Sequence, residues 1–112
     1  MTARRLLHVA IEAEFEARLS EPAHAPDAMR AEGFIHCCRA GQLAGVLERY
    51  YRDRNDLLLL TLDEAALADV LREEDTTGRG ELFPHLYGEI PRAAILTVAP
   101  FATDASGAWR AR

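Results

Sequence analysis

Three of the four histidines stand in segments that read as extended chain: His8 in RLLHVAI, His36 in GFIHCC and His85 in LFPHLYG. Histidine is not a strong strand former, so its recurrence there points to chemistry. An imidazole can act as acid or base near neutral pH, bind a metal, or donate to phosphate and ribose oxygens. The plain alternative is three separate histidines, each half-buried and bonded to a backbone carbonyl. A metal site would have to draw on His8, His36, Cys38 and His85, but no HxxxH or CxxC spacing supports zinc, and no metal is expected. A cysteine nucleophile is the other option. Cys37 and Cys38 adjoin His36, yet neighbours on a strand point to opposite faces, and free cysteines are most often buried apolar residues.

The segments around these histidines carry further candidates. In GFIHCCRAGQ, Gly33 allows a tight entry, and the strand leads into a helix start. Backbone N–H groups there, with Arg39 alongside and Gln42 as donor and acceptor, suit an anion such as phosphate. An ordinary strand–helix junction would use the same residues for capping. In LFPHLYGEI, alternation puts Phe83, His85 and Tyr87 on one face, a stripe able to stack a base and bond a ribose. Glu89 follows on the same side if the strand persists through Gly88, as a candidate catalytic carboxylate.

Composition narrows the chemistry. The chain has 112 residues, thirteen arginines and no lysine, which excludes Schiff-base catalysis and a P-loop of the usual kind. Arginine is therefore the only permanent side-chain cation available to a phosphate, with Arg39 best placed and Arg4 or Arg5 in reserve. The net charge is −5, and most of it falls in the second half of the chain. That tolerates a small anionic ligand near residues 33–42 but argues against a nucleic-acid partner. No apolar run approaches the roughly 20 residues of a membrane span. The adjacent cysteines suit a reduced, cytoplasmic setting. Twenty alanines beside the missing lysines suggest a GC-rich, bacterial coding bias.

The elements that must position these residues follow from periodicity. Arg5–Ile11 reads as a first strand with Leu7, Val9 and Ile11 on one face and Leu6, His8 and Ala10 on the other. Glu12–Leu19 reads as a short helix, 20–28 as a loop and Gly33–Cys38 as a β-type run. Ala40–Arg52 is the clearest helix, and LLLLTL (57–62) a central strand. Asp63 predicts an N-cap for a helix over Glu64–Glu73, with Leu67, Val70 and Leu71 inward. A mobile polar loop (73–81), an extended Leu82–Ile90 and a last strand Ala93–Ala99 complete the order, before a turn at 104–107 and a fraying tail. The sum is one α+β domain over residues 1–112, core about 5–102, with a mixed, largely antiparallel sheet.

Taken together, the first-strand histidine, GFIHCC with Gln42 downstream, and FPHLYG resemble the small bacterial family called domain of unknown function 952, over roughly residues 5–102. The resemblance implies a split sheet flanked by helices, related to the ADP-ribosyltransferase-like fold, whose cleft takes NAD or a related phosphorylated nucleotide. NAD would then be a substrate rather than a resident cofactor. It implies that His8 reaches the ribose and that GFIH, Arg39, Gln42, His85 and Tyr87 occupy motif positions. The chain departs from the family at Phe15, where members often have tryptophan. It departs again at His24 and Ala28, in a loop that often carries tyrosine and serine, and at Cys38, where serine is usual.

Two readings stand. In one, His8, Gly33, Arg39, Gln42 and Tyr87 bind a nucleotide-type ligand, while His36, His85 and Glu89 carry glycosyl or phosphoryl transfer. In the other, the domain is a non-catalytic protein- or metabolite-binding module with structural histidines. Convergence of His8, His36 and His85 on one open cleft separates them. The oligomeric state is open.

Overall fold

In the computed structural model, which describes residues 5–112, ten strands surround a small number of short helices. The apolar run LLLLTL forms β5 (Leu57–Leu62) at the centre of a five-stranded antiparallel sheet. It is flanked by β1 (Leu6–Ile11) on one side and β9 (Ile95–Thr103) on the other. β1 pairs with β5 from Leu6↔Leu62 to Ile11↔Leu57 without a slip. The strand period sorts the core. Leu6, Ala10, Leu58 and Leu60 join Phe15, Ile35 and Leu86 in the larger apolar cluster. Val9 and Leu57 meet Leu47 and Phe101 in a smaller one on the opposite face. Each fully buried leucine contributes roughly 1.5–3 kcal/mol, so this two-sided burial anchors the sheet.

The first helix, α1 (Glu12–Ala17), follows β1 directly and buries only Phe15. The expected loop over 20–28 contains β2 (Ala23–His24), and the four-residue helix α2 (Met29–Glu32) follows it. Gly33 ends α2 with φ +85°, the left-handed geometry that glycine adopts without a Cβ penalty. The chain then enters β3 (Ile35–His36) and β4 (Cys38–Arg39) in succession. These two lie in different sheets. β4 borders β1 on the edge of the five-stranded sheet, with Leu7 opposite Cys38. β3 belongs to a three-stranded sheet with β7 (Phe83–Leu86) and β6 (Leu71–Glu74). Between them, Cys37 donates its backbone N–H to the Pro84 carbonyl. The single β run expected over Gly33–Cys38 is thus a crossing from one sheet to the other.

A 3-10 turn at Ala40–Gln42 leads into α3 (Leu43–Tyr50), which sets Leu47 against the smaller core cluster. β2 pairs only with β8 (Ile90–Pro91). The fold is therefore α+β, with mostly antiparallel sheets and few helices, and no described helix is long and apolar enough to cross a membrane.

Three expectations need correction. No helix spans Glu64–Glu73; a 3-10 turn covers Ala65–Leu67, and Leu71–Glu74 is a strand paired to β7. The apolar positions 67, 70 and 71 satisfy a helical period, but a helix that short is marginal by itself, and the segment is held instead by its pairing with Phe83–Leu86. Asp63 keeps a local role, accepting the Ala66 N–H at 3.4 Å. The polar loop is organised: the Asp75 carboxylate accepts N–H bonds from Thr77, Gly78, Arg79 and Gly80. The tail does not end in a fray, because β10 (Trp109–Ala111) pairs with Phe101–Thr103 and Trp109 stacks on Phe101 at 4.1 Å.

Candidate functional site

The crossing at Cys37 brings the histidines together. β3 and β7 pair so that His36 stands opposite His85, and their rings meet edge to face at 5.3 Å. Phe34, just before β3, stacks on His85 at 4.3 Å and touches His36 at 4.8 Å, so one aromatic ring braces both. The two imidazoles have different surroundings. His36 is exposed, and its Nε2 meets Glu32 Oε2, at the end of α2, across 2.8 Å. His85 is 1% exposed, and its Nδ1 meets Glu74 Oε1 across 2.9 Å. Both rings line a cleft of about 450 Å³ between α3, the sheet crossing and the 75–80 loop. Arg49 and Tyr50 of α3, Thr77 of the loop and Glu32 form other parts of its wall.

His8 lies behind this cleft. It is 4% exposed, and its Nδ1 donates to the His36 backbone carbonyl across 2.7 Å. That bond fixes the proton on Nδ1 and matches the plain carbonyl-bonded reading. Its Nε2 is buried without a hydrogen-bond partner among the described residues. The His24 ring is 6.1 Å away, fully buried, with both nitrogens likewise unpartnered. Phe15 packs on His24 at 5.1 Å. Burial lowers both histidines from 6.5 to about 4; the His36 carbonyl bond partly opposes this for His8, and the neighbouring His8 adds to it for His24.

The remaining expected residues divide. Tyr87, 41% exposed, donates its hydroxyl to Glu74 Oε1 at 2.6 Å, so Glu74 gathers His85 and Tyr87 on one oxygen. The Tyr87 bond, then the His85 bond, hold the Glu74 carboxyl below its usual range. Gly33 is the α2 terminator and lies in open space, with no polar atom of its own side chain to offer. Gln42 serves as a clasp: its Oε1 accepts the Arg39 N–H, and its Nε2 donates to Glu81 and to the Leu82 carbonyl.

Two expectations are corrected by the geometry. Arg39 is buried and committed to carboxylates, with a fork on Glu64 (2.6 and 3.2 Å) and a further bond to Glu73. It braces β4 against the segments that carry those acids and does not line the cleft. Of the arginines held in reserve, Arg5 is exposed beside β1, and Arg4 lies outside the described residues. Glu89 is exposed and outside the cleft, because the chain bends at Tyr87–Gly88 and ends the alternation.

Glu74, Glu32, Phe34 and Arg49 were not among the expected site residues. Glu32 carries a legible signal, four residues before His36, but Glu74 reaches His85 only through the unforeseen β6 strand. Both cysteines are buried and free, and Cys38 is pushed up to about 12 by burial, with Cys37 raised still further. Neither is a nucleophile in this state. Among the described residues no group of three or more histidine, cysteine or acidic side chains could hold a metal ion.

Comparison with known proteins agrees with this architecture. The crystal structure of protein CC0527 from Caulobacter crescentus superposes with a TM-score of 0.83 at 25% identity, covering 95% of this chain and 93% of that one. The solution NMR structure of CC0527 gives 0.78 at 27% identity, covering 96% and 90%. No curated protein matches the chain. The model of the family described as "Protein of unknown function (DUF952)" matches residues 9–98, and the chain belongs to that family.

Proposed function

We propose that the cleft beside His36 and His85 binds a small nucleotide-type ligand of the NAD or ADP-ribose kind and supports glycosyl or phosphoryl transfer. The observation that carries this reading is the register pairing of His36 with His85, which sets two imidazoles 5.3 Å apart on one cleft wall. Each ring has one nitrogen held by a carboxylate and one left for a ligand. The volume of about 450 Å³ falls within the roughly 300–1,000 Å³ of small-molecule sites. Aromatic rings at Tyr50, Tyr51 and Phe83 offer stacking surface, and Arg49 takes the phosphate-facing part first expected of Arg39. The family resemblance to an ADP-ribosyltransferase-like fold supplies the substrate class, and the expected setting is the cytoplasm. His36, exposed and beside Glu32, would act as the acid. His8 would hold the strand behind it.

A second reading is favoured by one observation: Glu74 occupies both His85 and Tyr87, as in a purely structural network. In that case the domain binds a metabolite without turning it over. Calorimetric titration with NAD, ADP-ribose and nucleoside phosphates tests the proposal. Binding in the micromolar range, weakened at least tenfold by His36→Ala, supports it. Affinities no better than millimolar for every probe would remove it.

A further inference from the structure

The geometry points to Glu74 as a positioning residue that fixes the proton of His85 on Nδ1 and so presents the lone pair of Nε2 to the cleft. This inference rests on the proposed reading of the cleft and goes beyond it by assigning the base and the group that orients it. A carboxylate accepts only, so the 2.9 Å contact from His85 Nδ1 to Glu74 Oε1 requires a proton on Nδ1. In the neutral ring Nε2 is then an acceptor, the form a general base needs. The same carboxylate oxygen takes the Tyr87 hydroxyl at 2.6 Å. That second bond stops the carboxylate from turning away, and makes Tyr87 part of the support rather than a ligand contact.

The ring itself is fixed from two other sides. Phe34 stacks on it at 4.3 Å, and His36 meets it edge-on. With rotation blocked and Nδ1 occupied, Nε2 is the one nitrogen of His85 through which the cleft can be served. In a transfer step, His85 Nε2 would take the proton of the attacking hydroxyl as that oxygen bonds to the ligand's reacting centre. In phosphoryl transfer the bond from that centre to the leaving oxygen breaks with its electron pair. His36 enters the step with both ring nitrogens protonated, because its Nε2–H stays on Glu32, and gives its Nδ1 proton to that oxygen. Two protons move, and no redox partner is needed. Glu74 stays ionised throughout, as the orienting carboxylate of a catalytic triad does.

Long-range ¹⁵N–¹H correlation spectra of the neutral imidazole test the assignment without any ligand, because a protonated ring nitrogen is resolved from a bare one. The wild-type protein should show His85 as a single Nδ1–H form. Glu74→Ala should give a mixture of the two neutral forms, and Glu74→Gln, whose amide oxygen can still accept from Nδ1, should restore most of the original signal. ADP-ribose is the binding probe: Glu74→Ala should weaken it at least tenfold and Glu74→Gln by threefold or less. An Nε2–H form in the wild type, or spectra unchanged in Glu74→Ala, would overturn the positioning role. Spectra as expected with no ADP-ribose binding to the wild type would sustain the role of Glu74 and instead remove the proposed ligand class.

Discussion

The Nδ1–H of His8 on β1 donates to the backbone carbonyl of His36 on β3 across 2.7 Å, so a buried side chain of the large sheet holds the backbone of the small one. The two strands share no ladder of their own. The bond therefore fixes the height at which His36 enters the cleft, and gives the first-strand histidine a use that needs no ligand.

Replacing His8 by alanine should remove this tie and leave a cavity between the sheets. Loss of a buried ring and its hydrogen bond should cost about 2–4 kcal/mol, read as a lowered urea midpoint with unchanged slope. His8→Phe should keep the packing volume and lose only the bond, costing about half as much. Equal losses in the two variants would show that the hydrogen bond alone matters at this position, and no loss in His8→Phe that packing alone does.

The paired burial of His8 and His24 predicts an acid-labile fold. An unfolded histidine titrates near 6.5 and these two near 4, so above pH 6.5 both states are neutral and stability is complete. As the pH falls below 6.5 the unfolded chain binds protons first, and stability is lost progressively down to about pH 4. Each residue should remove about 2 kcal/mol by pH 5. Asp56, Glu74 and Asp75, all held below their usual carboxylate range, lose their contribution only at lower pH. His24→Leu should therefore halve the difference in unfolding free energy between pH 7 and pH 5. Denaturant titrations at both values measure it, and an undiminished difference would assign the lability elsewhere.

Much of the scaffold was legible because its signals are local. Leu57–Leu62 is apolar at every position but Thr61, and the Arg5–Ile11 alternation puts Leu6 and Ala10 opposite Val9, as the two core clusters do. The site was legible only in outline. His36 and His85 stand out in their motifs, but their carboxylate partners depend on pairings far apart in sequence. Glu74 is eleven residues from His85 and reads in sequence as part of the polar loop 73–81, whereas it ends a strand paired to β7. Arg39 looked free for a phosphate because Glu64 and Glu73 lie 25 and 34 residues away. Strand alternation cannot foresee the bend that turns Glu89 out. His24 was hidden in a loop, where nothing local signals complete burial.

Arg39 is expected to matter for stability rather than for binding. Its guanidinium is buried between Glu64 and Glu73, and their hydrogen bonds raise its pKa further. Removing one member of a buried ion group typically costs about 3–5 kcal/mol, since the partners lose their counter-charge. Both acids are partly exposed here, which places Arg39→Ala nearer the lower figure. Arg39→Met, which keeps the apolar stem, should recover part of the loss. Ligand affinity measured on the folded fraction should change less than threefold in either variant, whereas a tenfold loss would return Arg39 to the site.

Two glycines with the same backbone geometry should respond differently to alanine. Gly33 and Gly107 have φ of +85° and +87°. A Cβ on Gly33 would meet nothing within 4 Å, so Gly33→Ala should cost only the left-handed strain of about 1 kcal/mol. A Cβ on Gly107 would lie 2.6 Å from the Cα of Glu48 and 2.9 Å from the Leu47 carbonyl oxygen, both backbone atoms of α3. Neither can give without shifting the helix or the 104–108 turn. That turn leads into β10, so the clash should loosen the Trp109–Phe101 stack as well. Gly107→Ala should destabilise by at least about 2 kcal/mol more than Gly33→Ala, with a parallel change in tryptophan fluorescence. Similar losses for the two would mean that α3 yields to the turn at little cost.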